Sequence, residues 1–294
     1  MVYNIRNILA FIYAVFLYQK IKKVKKNAAE GKIILSVYFH NPSRKLFEFI
    51  VKWFKKNDFK FISTDQLCSI LKQNNTYPPS SVIMTVDDGW KDNKACIVEV
   101  AKKYNIPVTI FITAKPVETG EAFWWSYAET GKKNKIINYT VNQLKNLTNE
   151  KRLIELNKIK NEIKLEREAL TLNELNEISK YNNITIGGHT LSHPILTKCS
   201  DAVSFYEISE SKKKLSNWIN KPVKYFAYPN GNYSEREKKY LKECGYELSF
   251  TTKPDYIKQE LRPKPFEIPR FDILENVSLL ENICRATGVW FFKR

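Results

Sequence analysis

The sequence predicts an α/β fold, in which strands and helices alternate to build a parallel sheet, open or closed into a barrel. Three observations lead there. Apolar, β-branched runs recur along the chain. Segments with apolar residues at helical spacing separate them. Chemically distinctive residues follow the runs rather than precede them. In parallel β/α architectures functional groups gather at the C-terminal ends of strands, so the third observation agrees with the first two.

Taken in order, residues 1–30 form an N-terminal segment of their own. The apolar run Ile8–Tyr18 follows Arg6 and precedes Lys20, Lys22, Lys23, Lys25 and Lys26. That run is far shorter than the roughly 20 residues needed to span a bilayer. A cleaved signal would carry its positive charge ahead of the run and small residues just behind it. The expectation is an interfacial helix with a basic collar on an anionic, cytoplasmic membrane surface. An anchored or exported protein is the alternative location, and a helix packed on the protein's own core is the bland reading.

Residues 31–294 read as one domain. Ile33–Phe39 is the first expected strand, and Arg44–Lys56 a helix that aligns Phe47, Ile50 and Phe54. Val82–Val86 and Val108–Thr113 are strands two and three, with a helix over Lys94–Tyr104 that ends before Pro107. Ile184–Ile186 is the fourth strand, after a helix over Leu172–Lys180. Val223–Ala227 is the fifth and Tyr246–Thr251 the sixth, separated by the helix Glu235–Cys244, which Gly245 stops. Glu267–Ile273 is a possible seventh. Residues 116–170 fit the alternation poorly. They carry Phe123-Trp124-Trp125 and a Lys/Glu/Asn-rich stretch, and read as an insertion or lid whose long helix is solvated.

Composition narrows the function. Lys+Arg 48 against Asp+Glu 31 leaves +17, a balance that favours anionic surfaces such as phospholipid or acidic glycan. The lysines are scattered, and no arginine-rich arm or nucleic-acid motif stands out, which argues against nucleic acid. Much of the charge is also what a lysine-rich solvated surface looks like. The five cysteines (Cys68, Cys96, Cys199, Cys244 and Cys284) lie far apart, which argues against a disulfide framework or a thiolate zinc site.

The chemistry sits at the expected strand ends. His40 follows strand one, Asp87-Asp88-Gly89 strand two, His189-Thr190-Leu191-Ser192-His193 strand four, and Tyr228-Pro229-Asn230-Gly231 strand five. Asp-Asp-Gly alone is usually a turn. His-x3-His alone often binds nothing, although the spacing suits two imidazoles on one ion. Together they offer two nitrogens and one carboxylate oxygen, a common zinc set that leaves a position open. The second carboxylate is then free to act as a base.

These residues resemble the polysaccharide deacetylases with a NodB homology domain, carbohydrate esterase family 4. Thr85-Val86-Asp87-Asp88-Gly89 looks like the family's first motif, His189 to His193 like the second, and Phe226-Ala227-Tyr228-Pro229-Asn230-Gly231 like the third. The likeness spans about residues 33–275. It implies a distorted (β/α)7 barrel and hydrolysis of acetyl groups, most simply N-acetyl, on a glycan or lipid-linked glycan precursor. It makes Asp87 the general base, and Asp88, His189 and His193 the ligands of a divalent metal: zinc first, cobalt or nickel otherwise. The turn at Tyr228, Pro229 and Asn230 becomes a groove wall, with the Asn230 N–H on the oxyanion. Tyr228, Trp90 and Trp124 or Trp125 are candidates to stack on sugar rings, though such aromatics are more often core.

Two departures from the pattern matter. The third motif commonly carries an arginine where this chain has Ala227, and Arg270 is a candidate to orient Asp87 instead. The family's C-terminal histidine acid is missing, because no histidine follows His193. His40 stands where the poly-N-acetylglucosamine deacetylase branch has a Tyr-His pair, here Phe39-His40, and becomes the candidate acid or substrate ligand. A structural histidine at a strand end is the plainer reading. Two alternatives from other classes remain: a degenerate glycan- or lipid-binding module, and a non-haem iron oxygenase using the same two-histidine, one-carboxylate set.

Overall fold

The computed structural model describes residues 2–16 and 18–292. Leu17, within the expected apolar run, and Lys293 and Arg294 lie outside the described residues. Helices α1 (Val2–Phe16) and α2 (Tyr18–Ala29) lead into β1 (Ile33–Phe39). There follow α3 (Arg44–Lys56), β2 (Lys60–Phe61), α4 (Thr64–Lys72), β3 (Ser81–Val86), α5 (Glu99–Tyr104) and β4 (Val108–Ile112). The middle of the chain holds α6 (Ala114–Thr119), α7 (Trp124–Lys133), α8 (Val141–Asn146), α9 (Asn149–Glu162) and α10 (Leu172–Ile178). The C-terminal part runs through β5 (Ile184–Gly188), α11 (Asp201–Ile219), β6 (Tyr225–Ala227), α12 (Glu235–Glu243), β7 (Leu248–Phe250), β8 (Ile257–Lys258), β9 (Phe271–Asp272) and α13 (Leu279–Ala286).

The sheet runs β7-β6-β5-β4-β3-β1-β8, with β2 beside β3 and β9 beside β1. Every ladder is parallel except β8 against β1. The residues that precede and form β9 close the curl. Tyr38 of β1 pairs with Asp272, while Ile268 donates its N–H to Ser249 O at 3.0 Å and accepts from Thr251 N–H at 2.8 Å, beside β7. First and last staves are therefore joined, and the fold is the distorted (β/α)7 barrel expected from the resemblance.

The staves β1, β3 and β4 are buried along their whole length, which is why their sequences read as unbroken apolar runs rather than alternating ones. Helix α3 matches the expected bounds, and Phe47, Ile50 and Phe54 face the barrel wall. Other elements depart from expectation. Strand seven is a two-residue ladder plus one bridge, because its neighbours on both sides are used only at its ends. The strands β2 and β8 were not anticipated, and both are too short for periodicity to register.

The segment 116–170 is also more than a solvated lid. Leu156 and Ile159 of α9 join Trp124, Tyr127 and Ala128 of α7 and Leu144 of α8 in a small core of their own. The other sides of α9, including Leu153, Ile154, Asn157 and Lys158, face water.

At the N-terminus α1 packs along α13, held by Arg6 Nη2 to Glu281 Oε1 at 2.6 Å. Among the described residues no helix is long and apolar enough to cross a membrane.

Candidate active site

Parallel staves deliver their C-terminal ends to one rim, so the residues after β1, β3, β5 and β6 meet there. Asp87 leaves β3 with its N–H donated to Phe39 O at 2.8 Å, which fixes where the Asp-Asp pair begins. Asp88 then takes φ +76°, turning its carboxylate away from its neighbour's. Thr190 (φ +65°), His193 (φ +56°) and Asn230 (φ +56°) are left-handed as well. Non-glycine residues adopt that region at a cost of about 1–3 kcal/mol, and such positions concentrate at functional sites. The four lie in three turns on one rim.

Asp88, His189 and His193 bring three ligand atoms within 4.8 Å of one another, all from buried residues. Each imidazole Nε2 lies 3.5 Å from Asp88 Oδ1. Ligands about 2.0–2.2 Å from a tetrahedral ion lie roughly 3.3–3.6 Å apart, so this spacing fits a cation. The hydrogen bonds fit it too. His189 donates Nδ1–H to Ala227 O at 2.7 Å, which leaves the Nε2 lone pair facing the cluster. Trp90 Nε1 donates to Asp88 Oδ2 at 3.0 Å, whereas buried Asp88 Oδ1 has no hydrogen-bond partner. A buried carboxylate oxygen without a donor is costly unless a cation faces it.

Burial would favour the neutral acid at Asp88, but the surrounding imidazoles of His189, His40 and His193 outweigh it and hold its pKa below the usual range. His193 shifts down to about 3, first through burial and then through His189 beside it, so it is neutral and able to ligate.

Asp87 sits behind this cluster, 2% exposed. Arg270 grips it with both terminal nitrogens, Nη1 to Oδ1 at 2.7 Å and Nη2 to Oδ2 at 2.8 Å. The guanidinium is itself fully buried. It also donates to Thr85 Oγ1 and Thr251 O, both at 2.9 Å, and lies over the Tyr38 ring at 4.3 Å. Burial pushes the Asp87 carboxyl up, yet the Arg270 charge, helped by the imidazoles of His189 and His40, more than cancels this and holds its pKa below the usual range. Each oxygen keeps a second lone pair. Arg270 thus supplies the guanidinium that Ala227 does not.

A cavity of about 320 Å³ opens over the cluster, lined by His40, Asp88, Trp90, Trp125, Glu129, Val141, Lys145, His193 and Asn230. His40 is at its mouth, exposed, with its ring edge-on to Tyr38 at 5.5 Å. Trp90 and Trp125 are half-buried and line the cavity, each with a ring against Phe123 at 4.6 Å.

Two expected stacking residues are core instead. Tyr228 is 1% exposed, stacks on Tyr233 at 4.6 Å and donates its hydroxyl to Phe266 O, so it supports the turn rather than touching sugar. Trp124 is buried and donates Nε1 to His193 O at 3.0 Å, bracing a cluster residue from behind. Pro229 is buried under the same turn as Tyr228.

Sequence reasoning missed Glu129 and Lys145. Both come from the segment that breaks the strand–helix alternation, where nothing but proximity in space marks them.

Barrel, rim and carboxylate–imidazole cluster together define a class: a β/α barrel built to do chemistry at the ends of its staves. Within it, the chain belongs to the polysaccharide deacetylase family, whose sequence model matches residues 74–249. The putative polysaccharide deacetylase YxkH of Bacillus subtilis (strain 168) is 24% identical over 211 residues, covering 72% of this chain and 58% of its own length. The poly-beta-1,6-N-acetyl-D-glucosamine N-deacetylase of Staphylococcus aureus (strain MSSA476) is 25% identical over 224 residues, covering 73% of this chain and 65% of its own. The chain thus spans less than two thirds of the length of these curated relatives.

Among solved structures, the Streptococcus pyogenes deacetylase PplD in complex with acetate shares the fold at TM-score 0.63 and 20% identity, over 87% of this chain and 97% of that one. IcaB from Ammonifex degensii does so at TM-score 0.63 and 15% identity, over 88% and 97%.

Proposed function

We propose that this protein is a metal-dependent deacetylase that removes N-acetyl groups from amino sugars of a glycan or lipid-linked glycan precursor. The observation that carries the reading is the pairing of two carboxylates with different jobs. Asp88 faces two imidazoles across a spacing that fits an ion, and Asp87 is held ionised by Arg270 one residue away. The curated relative from Staphylococcus aureus supports the substrate class, since it is named for N-deacetylation of poly-N-acetylglucosamine.

In this reading Asp88, His189 and His193 hold a divalent ion, zinc being the first expectation. The ion supplies a Lewis acid for the acetyl group and lowers the pKa of water toward about 7. The protein's own groups do the rest. Asp87 takes the proton of the attacking water on a carboxylate oxygen, while Arg270 fixes its orientation. The Asn230 N–H helps to hold the developing oxyanion, an interaction that can dominate catalysis. Trp90 and Trp125 stack on the sugar and exclude water. His40 is a candidate to bind the sugar at the mouth or to protonate the leaving group. An oxygenase with the same ligand set has no use for a spare, arginine-held base.

Acetate release from N-acetylglucosamine oligomers, free and lipid-linked, is the direct test. Asp87→Asn should lower turnover about 10²–10⁴-fold with metal content intact, whereas Asp88→Ala and His193→Ala should lose metal as well. Metal bound by the wild type without acetate release from any N-acetyl substrate would leave a glycan-binding module as the better reading.

We also propose that the protein rests against an anionic membrane. Ile5, Ile8, Leu9, Phe11, Ile12 and Val15 of α1 are all more than two-fifths exposed, and the lysines of α2 follow directly. The basic collar favours the cytoplasmic leaflet.

A further inference from the structure

The geometry points to Lys145 as the group that protonates the leaving amine. This assignment rests on the deacetylase reading and supplies the one part that reading lacks. Hydrolysis of an acetamide ends with breakage of the C–N bond, and an amide anion is too poor a leaving group to depart unprotonated. The chain has three histidines, and two of them, His189 and His193, face Asp88. Asp87 is ionised and receives a proton instead of giving one. Trp90 spends its N–H on Asp88. The titratable groups left in the cavity wall are the nitrogens of His40 and Lys145 and the carboxyl of Glu129.

Lys145 is the best placed of the three. Its Nζ donates to Asn230 Oδ1 at 2.8 Å, so the ammonium is tied to the turn that borders the reacting carbonyl. Its position on α8 is fixed. Thr140 and Gln143 form a capping box at the start of the helix, and Leu144 is fully buried in the small core of α7 and α9. Val141, one helical turn earlier, lines the same cavity, as an i, i+4 pair should. His40, by contrast, is exposed at the mouth.

Desolvation lowers the pKa of Lys145, and the nearby Asp88 carboxylate only partly opposes this. A lysine so placed gives up its proton more readily than one in water. The remaining ionisable groups in the cavity wall are His40, His193 and Glu129.

The step balances. Lys145 Nζ–H passes its proton to the nitrogen of the tetrahedral intermediate, the C–N electron pair goes to that nitrogen, and acetic acid and the free amine result. The product acid ionises to acetate, Asp87 returns to solvent the proton it took from water, and neutral Lys145 regains one.

Two substrates and three variants of the metal-loaded protein test this. K145R keeps the charge but holds its proton too tightly to give it up. It should lower kcat on an N-acetylglucosamine oligomer about 10²–10⁴-fold, with KM and metal content little changed, and lower hydrolysis of 4-nitrophenyl acetate less than about 10-fold. That ester expels a stable aryloxide that needs no proton. K145A should behave similarly and regain amide turnover with added ethylammonium. The assignment is overturned if K145R retains amide turnover, if it loses both substrates equally, or if H40Q or E129Q alone removes amide turnover selectively. A wild-type protein inactive on both substrates would overturn the deacetylase reading itself, and this assignment with it.

Discussion

Arg270 illustrates what a single residue contributes here and how far the sequence could show it. The resemblance made Arg270 a candidate partner for Asp87, since Ala227 stands where the motif's arginine would be, but the two are far apart in sequence. The barrel closure brings them together, because the segment that staples β7 to β1 carries Arg270 into the core. Both groups are buried, so removing one leaves the other uncompensated. R270M should therefore cost about 3–5 kcal/mol in urea unfolding.

It should also move the pH dependence in a defined direction. With Arg270 present the Asp87 pKa is depressed. Its stabilising contribution is then present above the unfolded value of 3.8 and is lost as pH falls through the folded value. Without Arg270 burial is opposed only by the imidazoles of His189 and His40, so the pKa rises and the acid limb of the rate profile should shift to higher pH. A limb that stays in place would show that Asp87 is not the base. The two imidazoles were more legible, because their spacing suits one ion, and a turn through left-handed Thr190 and His193 brings them together.

Elements were readable where apolar side chains alone fill the buried face. Helix α3 is such a case. Helix α11 is not, although it is nineteen residues long, because Ser204, Glu207 and Ser211 share its buried face with Ile208 and Leu215. Polar residues with internal partners blur the period. Ser204 donates to Glu237, and Glu207 accepts from the N–H and hydroxyl of Ser192, between the two cluster histidines. Helix α13 is masked in the same way by buried Glu281, Asn282 and Arg285.

Strand β5 shows why a stave that carries function also carries glycine. A Cβ on Gly187 would stand 2.3 Å from the Phe111 ring on β4 and 3.0 Å from Tyr225 O on β6. G187A should therefore cost about 1–3 kcal/mol of overpacking. Because His189 is two residues on, it should also weaken metal retention. Calorimetry with metal analysis checks both, and a variant with wild-type melting temperature and metal content would show that β5 is free to shift.

At the scale of the whole molecule, charge and apolar surface meet at one end of the chain. The protein carries +17, and the lysines of α2 follow α1 directly in the chain. Helix α1 has fifteen residues, about 22 Å of helix, against a hydrocarbon core of about 30 Å, a length that suits lying on a bilayer. Its inner side is already used: Ala10 is buried, and Arg6 reaches Glu281 of α13, which in turn accepts from Arg285. The helix is thus anchored to the barrel wall with Ile8, Leu9, Phe11, Ile12 and Val15 facing outward.

Burying one such side chain contributes roughly 1.5–3 kcal/mol, and each lysine near an anionic surface about 1 kcal/mol more. The two terms separate experimentally, because salt screens the second within a Debye length of about 10 Å at 0.1 M and leaves the first. The wild type should sediment with vesicles containing phosphatidylglycerol, and less so as salt rises. The double variant I8E/F11E should stay in solution at low salt while keeping its fold and its acetate release from a soluble oligomer. Equal sedimentation of variant and wild type would mean that the apolar face is not what meets the membrane.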